Sequence, residues 1–318
     1  KGVSSFVWIK SRDTASAHML FDSSRGPQLR LKSDSAGSEV LSQGTVTKFL
    51  KGGYAVGDQT AVNKSGDSTV AWNWIANGGT TASNGNGSLT SVVQANQTAG
   101  FSIITYTGNG VVSTIGHGLS QAPEWFILFH RGSLGSSNYV YHKSIGADYM
   151  LFLQLSNAKD TSVTTPWNDT APTSSVISLM STGYGGNNSG EDYLIYAWHG
   201  VEGFSKFGSY QGNGSTDGTF VYTGFKPAFL MIKSSSHAVS WYMFDNKRNP
   251  LNPAGKRLVA DGTFVEDAGT TEAFDFLSNG FKLKNTSVGT NGSGYTYIYM
   301  AFAEHPFVGD GTNPTTAR

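Results

Sequence analysis

The residues able to do chemistry in this chain are few and scattered. Seven histidines (His18, His117, His130, His142, His199, His237 and His305) fall in no His-Glu-x-x-His pattern, so no zincin-type metal helix is expected. No Gly-x-Ser-x-Gly elbow presents a nucleophile. Asp160, Asp169, Glu191 and Asp192 are the carboxylates from which a facing acid/base pair would have to come, as glycoside hydrolysis requires. They show no spacing that sets them apart from surface acids. Gly108-Asn109-Gly110 and Gly212-Asn213-Gly214 look like phosphate loops only in their glycines. Neither has the Lys of a P-loop nor a following helix signal, and both read as turns. The sequence therefore assigns no catalytic residue, metal ligand or cofactor. Asn-x-Ser/Thr sequons, among them Asn63, Asn168, Asn187 and Asn291, are expected by chance in a chain this rich in Asn, Ser and Thr. They matter only in a host that glycosylates exported proteins.

The elements that must position any site are more legible. Charged residues make up 14% of the 318 residues, glycine occurs 40 times, and 13% of residues are aromatic. Such a mixture suits short strands with Gly, Asn and Ser turns better than long helices with a charged wet face. Formal net charge is zero, which disfavours neutralisation of a nucleic-acid backbone. No apolar run reaches the 18 residues of a membrane-spanning helix. Cysteine is absent, excluding disulfides and Cys-type zinc sites and favouring folding in a reducing compartment with export by other means, such as virion release.

Internal repetition organises the chain. Phe6-Val7-Trp8-Ile9-Lys10, Phe126-Ile127-Leu128-Phe129-His130 and Phe229-Leu230-Met231-Ile232-Lys233 are apolar runs ending in a basic residue. Fifteen residues after each first Phe stands an aromatic, Phe21, Tyr141 or Phe244, followed by Asp22, His142 or Asp245. The recurring Asp suggests a structural hydrogen bond. Val70-Ala71-Trp72, Tyr196-Ala197-Trp198 and Met300-Ala301-Phe302 close the repeats after the pairs Ser65-Gly66, Ser189-Gly190 and Ser293-Gly294. Phe49 to Tyr54 matches Phe276 to Phe281, and repeat two has Ser175 to Leu179 instead. Repeats two and three open alike, at Gly100-Phe101-Ser102 and Gly203-Phe204-Ser205, but repeat one lacks this opening.

Ile298, Met300 and Phe302 alternate with Tyr297, Tyr299 and Ala301, so the closing segment reads as a strand covered on both faces. The fold expected is all-β: three tandem, jelly-roll-like β-sandwich repeats at residues 1–98, 99–202 and 203–318, the last with a C-terminal tail after 307. Phe6, Phe126 and Phe229 are expected at equivalent positions, as are Trp72, Trp198 and Phe302, which read as core anchors rather than a stacking platform. The unpaired edge left in repeat one is expected to be covered by upstream sequence or by another subunit.

With the repeats in hand, the chain resembles the repetitive β-rich tail-fibre and virion proteins of tailed bacteriophages of aquatic bacteria. The phrases that carry the resemblance are Val7 to Lys10 with Leu20 to Ser23, Ala99 to Ile103 with Tyr106 to Gly108, Gly116 to Leu119 before Ala122-Pro123, Glu202 to Tyr210, and Tyr297 to Glu304. The resemblance implies a virion location and a non-enzymatic structural subunit that meets other virion subunits and further copies of itself. It also implies a chain whose relatives extend further at the N-terminus. A bacterial extracellular filament or surface adhesin is the alternative, and a polysaccharide-degrading enzyme a third. Contact with a host surface glycan would fall to the polar connectors Ser11 to Ala17, Arg131 to Ser137 and Ser234 to Ser240, where Arg12, His18, Arg131, His237 and Trp241 are the candidate ligand-binding residues.

Overall fold

The computed structural model describes residues 3–132, 137–160, 166–179, 186–267, 269 and 271–305. It is all-β: strands make up 44% of the described residues and helix 1%, far from the roughly 30–35% helix of an average domain. The chain divides into two compact units, residues 1–155, 160–199 and 261–265 in the first, residues 156–159, 200–260 and 266–318 in the second. Repeats one and two thus lie in one unit, and the expected boundary at residue 98 falls inside it.

Repeat one supplies β1 (Phe6–Ser11), β2 (Met19–Asp22), β3 (Gly26–Leu31), β4 (Val40–Leu41), β5 (Val46–Leu50), β6 (Gly53–Val56), the single helical turn α1 (Thr60–Asn63) and β7 (Thr69–Trp74). One antiparallel sheet runs β4-β3-β2-β1-β7. After β7 come β8 (Ala82–Asn84) and β9 (Ser91–Asn96), still within residues 1–98, and repeat two supplies β10 (Phe101–Thr107), β11 (Ser113–Gly116), β12 (Trp125–His130), β13 (Tyr139–His142), β14 (Leu151–Phe152), β15 (Val176–Leu179) and β16 (Asp192–Trp198). Its main sheet runs β14-β13-β12-β16-β10-β9-β8, and β11 pairs with β15.

Period-two alternation gives each main sheet two apolar faces. In repeat one, Val7, Ile9, Met19 and Phe21 form a core with Val46 and Val62. The other face carries Phe6, which stacks on Tyr196 of β16 at 4.0 Å between ring centroids, and Trp74, which meets Trp198 edge-on at 5.9 Å. The sheets of repeats one and two are therefore packed face to face. The remaining face of the second sheet, with Ile104, Phe126, Leu128, Tyr193 and Ile195, is covered by Ile115, Trp167, Ile177 and Leu179.

The second unit contains β17 (Ser205–Gln211), β18 (Phe220–Tyr222), β19 (Pro227–Ser234), β20 (Tyr242–Asp245), β21 (Leu258–Val259), β22 (Phe274–Leu277), β23 (Gly280–Leu283) and β24 (Thr296–Ala303). A five-stranded sheet β17-β24-β19-β20-β21 faces a three-stranded sheet β18-β23-β22. Tyr210, Leu230, Ile232, Phe244, Tyr297 and Tyr299 meet Val221, Phe274, Phe281 and Leu283 in one core. Residues on both faces of β24 are buried, as its alternation predicts.

Strand register corrects two sequence equivalences. Phe6 faces Asp22, Trp125 faces His142 and Phe229 faces Asp245. Trp125, not Phe126, is thus the counterpart of Phe6, because repeat two carries one more residue between the paired strands and a one-residue slip moves a side chain to the opposite face. Likewise Phe6 faces Trp74, Trp125 faces Trp198 and Phe229 faces Phe302. Trp74, not Trp72, is the counterpart of Trp198, and all of these rings are buried. The matched segments Phe49 to Tyr54 and Phe276 to Phe281 do form the same hairpin, pairing Phe49 with Tyr54 and Phe276 with Phe281. The glycines of the three Ser-Gly pairs share a left-handed backbone, with φ of 85°, 79° and 77° at Gly66, Gly190 and Gly294, which explains their recurrence. Among the described residues β16 and β24 each have two neighbouring strands, whereas β7 pairs with β1 and stands at the end of its sheet.

Candidate functional site

The Asp that recurs in repeats one and three builds a turn lock. Asp22 Oδ1 accepts the backbone N–H groups of Ser24 and Arg25 at 3.0 and 2.9 Å. The buried Arg25 guanidinium returns to Asp22, donates to Glu39 at 2.8 Å and reaches the Leu20 carbonyl and the Tyr196 hydroxyl. Asp245, Arg248 and Glu266 repeat this arrangement in the second unit, with Arg248 also donating to the Met243 carbonyl at 3.0 Å. In repeat two His142 takes over the turn, accepting the N–H of Ser144 on Nδ1 at 3.0 Å. The recurring acid is thus a structural hydrogen-bond acceptor.

The Gly-Asn-Gly phrases are a second lock. Asn109 and Asn213 accept from the side chains of Asn187 and Asn291, both at 3.0 Å. In return Asn187 and Asn291 accept the backbone N–H of Asn109 and Asn213. Asn187 and Asn291 are fully buried, so the sequons they head face the core rather than solvent. The basic residues ending the apolar runs are buried also. Lys10 donates to the carbonyls of Ser11 and Thr14, and burial lowers its pKa to about 8 against the pull of Asp34 and Asp67. Lys233 donates to the carbonyls of Ser234 and Ser156 in the same way.

Of the five residues expected to meet a ligand, Arg12, His18 and Arg131 belong to the first unit and His237 and Trp241 to the second. His18 is buried and accepts from Trp8 Nε1 on Nδ1 at 2.8 Å. Trp241 is buried with the Lys233 ammonium 5.9 Å from its ring. Burial takes both out of contact with an external sugar: loop polarity suggested exposure, but His18 packs against Trp8 and Trp241 lies under Lys233. Arg131 forks onto the Glu39 carboxylate through two hydrogen bonds of 3.0 and 2.9 Å, tying repeat two to repeat one. Arg12 is half-buried, its backbone N–H on the Ser68 carbonyl. His237 is exposed and stacks on Tyr295 at 4.3 Å. Part of the second connector, residues 133–136, lies outside the described residues.

Glu191 and Asp192, adjacent at the start of β16, address different partners: Glu191 lies 3.3 Å from His130 Nε2, and Asp192 accepts from Thr107 at 2.7 Å. They do not form a facing pair. Among the described residues no group of three or more His, Asp or Glu is placed to hold a metal ion.

Sequence reasoning missed an open polar cleft of about 250 Å³ in the second unit, lined by Lys226, Asn246, Lys247, Pro250, Leu251, Asn252, Phe276 and Glu304. Lys226 enters β19 and Glu304 leaves β24, and the backbone N–H of Glu304 donates to the Lys226 carbonyl at 2.9 Å. Their side chains pair at 2.9 Å, while Lys247 stands 3.9 Å from the same carboxylate. The Lys226 hydrogen bond holds the Glu304 carboxyl below its ordinary pKa. Asn246 and Lys247 lie in the turn locked by Asp245 and Arg248. Asn252 is fixed by donating to the Phe276 carbonyl at 2.9 Å and accepting its N–H at 3.0 Å. The only hint in the sequence was the loop signal Asn249-Pro250-Leu251-Asn252-Pro253.

No curated protein and no solved structure matches the chain. A family model described as "Domain of unknown function (DUF7483)" matches residues 2–306, spanning all three repeats, and the chain belongs to that family.

Proposed function

We propose that the chain is a non-enzymatic structural subunit of a bacteriophage tail fibre or other virion appendage, working outside the cell and contacting host surface glycans. In this reading the three repeats are copies of one jelly-roll-like sandwich element. Neighbouring virion subunits and further copies of the chain are its partners. The observation that carries the reading is where the polar chemistry goes. The side chains of Arg25, Arg248, Asp22, Asp245, Lys10, Lys233, Asn187 and Asn291 are all buried and hold turns between strands, which gives a stiff frame rather than a reaction centre. The phrases that resemble those of phage fibre proteins support the same reading, as does the place of β7 at the end of its sheet among the described residues, where a strand of another chain could pair. The test is to locate the chain in its particle. Peptides from it should be found in purified virions, and antibodies against it should label an appendage. Recovery only from the bacterial surface or culture filaments would replace this function with the adhesin. Turnover of capsule polysaccharide by the purified protein would replace it with the enzyme.

A further inference from the structure

We propose that the cleft bounded by Lys226, Asn246, Lys247, Leu251, Asn252 and Glu304 is a binding site for a single sugar residue that carries one negative group. The inference rests on the attachment part of the function proposed above and names its ligand class.

The first argument compares the same turn in three places. Ser23, Lys143 and Asn246 are equivalent, each donating its backbone N–H to the strand before it, onto Ser5, Glu124 and Ala228. The Ser23 hydroxyl pairs with Gln94 at 3.2 Å. Lys143 pairs with Glu124 at 2.7 Å. Asn246 has no such partner. It is 7% exposed, lines the cleft, and its buried Oδ1 makes no hydrogen bond. A buried amide oxygen left without a donor is costly, and a ligand hydroxyl entering the cleft can satisfy it after a rotation about χ2, a broad torsion.

The second argument is preorganisation. Asp245, Arg248 and Glu266 fix one wall, and the two hydrogen bonds from Asn252 to the Phe276 backbone fix the other. A ligand therefore pays little to order the site.

The third argument is chemical. Lys226 and Lys247 donate, Glu304 accepts, and Leu251, 76% exposed beside Pro250, offers an apolar lip. Closely spaced donors and acceptors beside an apolar surface match the hydroxyls and the C–H face of a pyranose. Glu304 engages Lys226 closely and leaves Lys247 at 3.9 Å, so two ammonium groups face one carboxylate. Two ammonium groups sharing one carboxylate leave one positive charge in excess among the lining residues, which favours a sugar with one acidic group. The volume, about 250 Å³, lies below the ~300–1,000 Å³ of drug-sized pockets and suits one ring rather than a chain segment.

The full chain should be titrated with D-galacturonate and with D-galactose, following binding by ligand-observed NMR. Galacturonate should bind saturably and more tightly than galactose. Lys247→Glu, at an exposed site, should weaken galacturonate by roughly tenfold, the loss of one charge-assisted contact, and leave thermal stability unchanged. Asn246→Ala should weaken both sugars. Absence of saturable binding by either sugar, or binding that neither substitution alters, overturns the inference; equal binding of the two sugars overturns its charge assignment. Labelled particles with no sugar binding would reject this site alone, while sugar binding without a place in the particle would reject only the virion function.

Discussion

Replacing Arg25 by Met removes the guanidinium while keeping a long apolar stem in the buried turn lock. The wild-type group contacts Asp22, Glu39, the Leu20 carbonyl and the Tyr196 hydroxyl. Breaking a buried ion pair from one side costs ~3–5 kcal/mol. Two compensations place this case at the lower end. Glu39 keeps its fork from Arg131, and Asp22 keeps two backbone N–H groups and the Tyr196 hydroxyl at 2.7 Å. The expected loss is therefore ~3 kcal/mol. With an m-value of ~3 kcal/mol/M in urea, the midpoint of unfolding should fall by about 1 M. Tryptophan emission is a suitable probe, because six of the seven tryptophans (Trp8, Trp72, Trp74, Trp125, Trp167 and Trp198) lie in the first unit. Arg25→Lys should rescue little, since an ammonium cannot reproduce a planar fork that meets four acceptors. Asp22→Asn combined with Arg25→Met should cost less than the sum of the two, with a coupling of ~1 kcal/mol or more. A midpoint shift below about 0.3 M for Arg25→Met, or strict additivity in the cycle, would refute the account of the turn lock.

Other outcomes follow from the same geometry. His117 accepts the Leu119 N–H on Nδ1 and faces the Thr173 carbonyl through Nε2; burial lowers its pKa to about 4. Its folded pKa thus lies below the unfolded value of ~6.5, so its contribution is complete above pH 6.5 and is lost as pH falls towards 4, about 2 kcal/mol by pH 5; the stability difference between pH 7 and pH 5 should shrink by that amount in His117→Gln. Expression in a glycosylating host should modify the exposed Asn63 sequon and leave Asn187 and Asn291 bare, as peptide mass spectrometry will show. Trp198→Ala should cost ~3–5 kcal/mol in urea unfolding, since this ring touches Phe6, Trp74 and Phe101. Along β7 the carbonyls of Ser68 and Trp74 bond to the β1 side, so the backbone of Ala71 points outward; Ala71→Pro should reduce self-association in light scattering if this edge joins copies.

The fold class was readable because its signals are local: low charge, frequent glycine, and alternation as in Tyr297 to Phe302. The hairpin shared by Phe49 to Tyr54 and Phe276 to Phe281 was readable too. Register was not, because spacing from Phe126 to Tyr141 matches the other repeats by coincidence of aromatics while the paired strands in repeat two are one residue further apart. The face-to-face packing of repeats one and two was equally hidden: a run such as Phe6-Val7-Trp8-Ile9 shows that both faces are apolar but not which sheet covers each. The candidate site was least legible. His18 and Trp241 stand in polar surroundings along the chain yet are buried, and the cleft brings Lys226 to Glu304 across 78 residues through strand pairing alone.

The stack of Phe6 on Tyr196 also bears on how such a chain can change length. The sequence phrases recur at about a hundred residues, but in the first unit that length is not what closes a core. Deleting residues 1–98 would bare Trp125, Ile127, Tyr196 and Trp198 to water, and inserting a lone extra copy would leave its own aromatic face bare. Gains and losses at this end of the chain that preserve solubility must therefore keep repeats one and two together, so that the inherited module is the pair.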